Sequence, residues 1–138
     1  GAALAHIAAH GVFRADNPLF SALTLADGPV TVYDLESLGK APEVLLLSAC
    51  ESGLSAVQPG DELMGLAASL LSLGTRTLVA SVVAVPDEHT AQLMLAVHRL
   101  LRAGSPPAEA LCRAQAQTDS SDPLAVAASA AFICFGAA

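Results

Sequence analysis

From Glu43 to Ala49 the chain is a continuous Val/Leu run of strand length that closes on Ser48-Ala49-Cys50. Strands with one wet face alternate apolar and polar residues; a strand without alternation has to be covered on both faces. That single run demands a sheet with helices above and below it, and the rest of the chain supplies the pieces. Thr77 to Val85 is a second buried run, rich in β-branched residues. Ala2 to Ala9 is a third, ending at His10 with Gly11 as the exit.

Helical periodicity fills the gaps. Pro59-Gly60 closes the loop after the Val/Leu run. From Asp61, Leu63, Leu66, Ala67, Leu70 and Leu71 recur at intervals of three and four up to Gly74. Pro86 opens a helix with Asp87 and Glu88 in its first turn, where acids favour the helix dipole. Leu93, Met94, Val97, Leu100 and Leu101 line its apolar face and Gly104 stops it. A further helix spans Ala108 to Gln117, and Ala130 to Phe135 reads as a last strand. Between the first strand and the Val/Leu run lies a polar loop from Arg14 to Pro18. Next, Ser21 to Gly28 alternates into Asp-Gly and leads directly to Pro29-Val-Thr-Val, the pattern of a short antiparallel hairpin. Asp34 is expected to cap a short helix running through Leu38. Strand, helix, strand, helix with continuous apolar strands gives an α/β fold with a mostly parallel sheet.

The 138 residues suffice for one domain. A hydrophobic share of 54% excludes a disordered chain. No apolar stretch reaches the ~18 residues of a membrane span, and no signal peptide opens the sequence. The net charge is −7 with six Lys and Arg, so a nucleic-acid partner is not expected. Three widely spaced cysteines, Cys50, Cys112 and Cys134, fit a reducing cytoplasm better than a disulfide framework. Neither a dinucleotide fingerprint nor a P-loop occurs, and no cofactor is expected. High Ala and Leu content with a single Lys suggests a GC-rich bacterial genome.

In open α/β sheets chemistry gathers at the carboxyl ends of the strands, and His10 and Cys50 each stand at such an end. A cysteine nucleophile needs an imidazole to manage its proton, usually from another element of the fold. Taken alone, Cys50 reads as a small core residue and His10 as a structural histidine. Placed together, with Gly after one and Glu-Ser-Gly after the other, they read as a Cys-His dyad. The Gly11 amide is then a candidate donor to a substrate carbonyl oxygen. His6 and His10 are four residues apart on a strand, about 13 Å at ~3.3 Å per residue, so a shared metal is not expected. His6 reads as a core or supporting residue, His89 and His98 as surface or interface residues, and Cys112 and Cys134 as buried, inert thiols.

Five blocks in order, His6–Gly28, Val30–Leu38, Leu45–Gly53, Gly60–Met94 and Gly104–Gln115, resemble the CHAT domain, a family similar to the caspases and separases. The resemblance implies a caspase-like fold and a cysteine endopeptidase acting on a protein or peptide substrate. It places the catalytic pair on His10 and Cys50 and the oxyanion donors on the backbone amides of Gly11 and Cys50. Caspase-like relatives select substrates by one side chain beside the dyad. Among the nearby charges Asp16 is the candidate for an acidic pocket taking a basic or long unbranched residue. The sequence departs from the family where Ser81-Val82-Val83-Ala84-Val85-Pro86-Asp87 replaces a Trp-containing motif, and the chain has no Trp. It also begins almost on the His10 strand, so earlier strands of the sheet and attached regulatory repeats are expected in the native protein. A catalytically inactive interaction module is the alternative reading.

Overall fold

The computed structural model describes residues 3–12, 16–37, 39–51, 59–83 and 87–137. A six-stranded sheet carries the fold. Its strands are β1 (Leu4–Val12), β2 (Ala22–Leu25), β3 (Gly28–Thr31), β4 (Val44–Glu51), β5 (Thr77–Ser81) and β6 (Phe132–Gly136). They lie in the order β3-β2-β1-β4-β5-β6. The centre is parallel, β4 pairing with β1 on one side and β5 on the other. The β2–β3 hairpin and β6 join antiparallel at the flanks. The helices are α1 (Val32–Ser37), α2 (Pro59–Ser72), α3 (Asp87–Arg102), α4 (Pro107–Ala116) and α5 (Pro123–Ala130).

The Val/Leu run behaves as its composition requires. Leu45, Leu46 and Leu47 are at most 2% exposed although they point alternately to opposite faces. Leu46 and Val79 pack with Leu93, Met94 and Val97 of α3, Ala110 and Leu111 of α4, Ala128 of α5, and Phe132. Leu45, Leu47 and Leu78 pack on the other face with Leu66, Ala67 and Leu70 of α2, Leu23 and Val32. Each fully buried Leu contributes about 1.5–3 kcal/mol of transfer free energy. The helices on both faces and the hairpin after β1 are therefore present, as the sequence pattern predicts.

Local differences have local causes. β1 does not end at His10; Gly11 and Val12 continue it because β2 pairs with Gly11 through Leu23 and with Val12 through Ala22. α2 begins at Pro59 instead of following a Pro-Gly turn, since proline is well tolerated in a helix's first turn. Thr31, not Asp34, caps α1. The Thr31 hydroxyl accepts from the Asp34 amide at 3.1 Å, and the Asp34 carboxylate accepts from the Thr31 amide at 2.9 Å. β5 ends at Ser81, short of the expected Val85, and the Val82 amide still donates to the Ala131 carbonyl at 2.8 Å, just past the Ser81–Phe132 pair. Leu38 and the stretch 84–86, which holds Pro86, lie outside the described residues. α5 was not anticipated. Asp122 caps it, accepting from the amides of Leu124 and Ala125 at 3.0 and 3.2 Å, with Pro123 in the first turn. Gly136 of β6 has φ +97°, and an added Cβ would stand 2.1 Å from the Arg76 carbonyl oxygen, so only glycine fits there.

Candidate active site

The β1–β4 ladder sets the site. It runs from Leu4↔Val44 to Gly11↔Glu51 and makes His10 and Cys50 direct cross-strand partners. Neighbouring strands lie about 4.8 Å apart, which sets the backbone separation of these two positions. On its other side His10 pairs with Thr24 of β2. The β4–β5 ladder is shorter, ending at Leu47↔Ala80. Ser48 to Glu51 therefore continue beyond the end of β5's pairing while still held by β1. In a strand, successive residues direct their backbone groups to alternate sides. Part of this stretch thus turns its N–H groups toward the side where the β5 ladder has ended.

Below this pair, along the same even-numbered rows of β1 and β4, lies a groove of about 650 Å³ between the sheet and α3. His6, Ser48 and His98 form its polar floor, while Ala8, Met94 and Leu95 give it apolar walls. The His6 Nε2 is 2.8 Å from the Ser48 hydroxyl, and its Nδ1 is 2.8 Å from Nε2 of His98. The two rings are tilted by 36° with centroids 4.9 Å apart. Desolvation of the His6 ring, and secondarily the neighbouring His98, push its pKa below the ordinary imidazole value.

The remaining expectations fall as follows. Gly11 is an extended β1 residue beside the pair. Asp16 is an exposed residue at a bend ahead of Pro18 and is not among the described residues that line the groove. His98 is not a surface residue independent of the site, as its helix position suggested; it stands on α3 within 2.8 Å of His6. His89 is half-buried with Nδ1 3.8 Å from the Asp122 carboxylate. Cys112 is exposed, contrary to the expectation of a buried thiol, because it lies on the outer side of α4, away from Ala110, Leu111 and Ala114. Cys134 is half-buried, and desolvation raises its thiol pKa. Among the described residues no three His, Cys, Asp or Glu side chains are placed to hold a metal ion. Likewise, no described helix is long and apolar enough to cross a membrane.

Sequence reasoning missed Ser48 and His98, though a signal existed. Counting back by two from Cys50 and by four from His10 reaches Ser48 and His6, on the rows those residues share. On α3, Thr90, Met94 and His98 recur at four.

Parallel central strands, helices on both faces and a hairpin after the first strand define a caspase-like α/β domain. The CHAT domain family matches residues 1–137, and the chain belongs to that family, a caspase-like, peptidase-related one. Among curated proteins no match is found.

Proposed function

We propose that the chain is a cysteine endopeptidase domain in which Cys50 attacks a peptide carbonyl and His10 manages the protons. The observation that carries this reading is the cross-strand pairing of His10 with Cys50 at the carboxyl end of the parallel strands. His10 accepts the thiol proton, and the Cys50 sulfur adds to the carbonyl carbon. Backbone amides of Gly11 and Cys50 are the donors for the oxyanion that forms. Collapse breaks the C–N bond as His10 returns the proton to the departing amine, leaving a thioester. Water, deprotonated by His10, then releases the acid and restores the thiol. Asp16 is the acid assigned to hold a basic or long unbranched substrate side chain, through the complementarity of its negative charge. In the native protein, attached repeats or domains acting in the cytoplasm regulate this step.

Labelling with a thiol-reactive peptide electrophile tests the assignment. Adduct at Cys50 of the folded chain supports it; adduct confined to Cys112 or Cys134 overturns it. A second reading, an inactive interaction module, draws on the absence of Trp from Ser81–Asp87. An unreactive Cys50 in a folded chain that cleaves no peptide favours that module.

A further inference from the structure

We propose that Ser48, His6 and His98 form a second nucleophilic centre, independent of Cys50, in which the Ser48 hydroxyl attacks neutral short-chain acyl esters held in the groove between β1 and α3. The geometry is that of a nucleophile, a base and a residue orienting the base. The Ser48 Oγ lies 2.8 Å from His6 Nε2, and His6 Nδ1 lies 2.8 Å from His98 Nε2. Both contacts fall within the range required for proton transfer along such a chain. One tautomer satisfies both at once. The Ser48 hydroxyl donates to Nε2 of His6, which leaves Nδ1–H of His6 to donate to the Nε2 lone pair of His98.

Three elements converge to make this arrangement: His6 from β1, Ser48 from β4 and His98 from α3. The centre is open to a ligand, since His6 is exposed and Ser48 and His98 are only half-buried. A His6 ring whose pKa is lowered stays neutral, and so competent as a base, at neutral pH. The lining specifies the substrate class. Among the described residues that line the groove none is Asp, Glu, Lys or Arg, which favours a neutral acyl group. Ala8, Ala9, Ala91, Met94 and Leu95 offer contact to a short aliphatic chain, and Thr24 adds a neutral hydroxyl to the lining.

The step balances without a cofactor. Ser48 Oγ bonds to the acyl carbon as its proton passes to His6 Nε2, and the imidazolium so formed is held by His98. The C–O bond to the alcohol breaks, and the alkoxide takes the proton from His6. Water then gives its proton to His6 and cleaves the acyl-serine, releasing the carboxylic acid and returning the hydroxyl.

The test uses the whole chain with p-nitrophenyl butyrate and a fluorophosphonate probe. We expect turnover to fall at least about 100-fold in Ser48→Ala, the scale set by loss of base-assisted attack. His98→Gln, which perturbs only the orienting residue, should lower kcat about tenfold with KM little changed. Fragment-ion mass spectrometry of the labelled unmodified chain should place the phosphonate on Ser48, a readout that needs no variant to fold. An unlabelled Ser48 in folded protein, or wild-type turnover by Ser48→Ala, overturns the proposal. Turnover that survives Ser48→Ala and is lost in Cys50→Ala would overturn it too, while leaving the Cys50 reading in place.

Discussion

His6 Nδ1 and His98 Nε2 lie 2.8 Å apart, a hydrogen bond between two imidazoles that ties α3 to β1. The His6 pKa is lowered by desolvation first and His98 second. Above the unfolded value of about 6.5 the ring is neutral in both folded and unfolded chains. As pH falls through that value the unfolded chain takes the proton first, so stability declines until the folded ring titrates as well. Thermal melts from pH 7.5 to 5 should therefore show a falling melting temperature, with a shallower fall in His6→Gln. Among the groove-lining residues His6 and His98 are the titratable pair. Among the described residues the other lowered groups with named causes, Asp34 and Asp119, act in the acidic carboxylate range. Parallel slopes in the two proteins would contradict the linkage.

Asp122 caps α5 through two backbone amides. Replacing a capping Asp with Ala costs about 1 kcal/mol. For a chain of this size that lowers the melting temperature by roughly 3–5 °C. Asp122→Asn, which keeps an accepting oxygen, should recover most of the loss in the same melt. Equal losses in the two variants would assign the effect to charge instead.

Cys112 and Cys134 should separate in a timed alkylation of the native protein. Cys112 is exposed on α4, whereas Cys134 lies half-buried in β6 against the α3–α4 core, with its thiol pKa raised by desolvation. A thiolate is the reactive form, so burial slows Cys134 both by access and by protonation. Mass spectrometry should find Cys112 modified first. Equal rates would mean that β6 is not packed as described.

The layers were legible because Leu45, Leu46 and Leu47 leave no face of β4 for water, and so dictate cover on both sides. The pairing of His10 with Cys50 was legible for a related reason: each closes an apolar run, and parallel strands bring such ends together. The His6–Ser48–His98 chain was not, since its existence depends on how α3 lies across the sheet, which local periodicity does not fix. Cys112 was misread because an Ala- and Leu-rich helix hides which of its sides faces the core. α5 was overlooked because Ala-rich residues there show little apolar striping; its cap, Asp122 before Pro123, was the available sign.

Activation of Cys50 by His10 is tested most directly by the pH dependence of Cys50 alkylation. The rate at Cys50 should remain high well below pH 8.5, the ordinary range for a free thiol. In His10→Gln the rate at pH 6–7 should fall by about 10- to 100-fold, toward that of an isolated cysteine. A Cys50 that titrates near 8.5 in the folded wild-type chain, with the same profile in His10→Gln, would contradict the dyad.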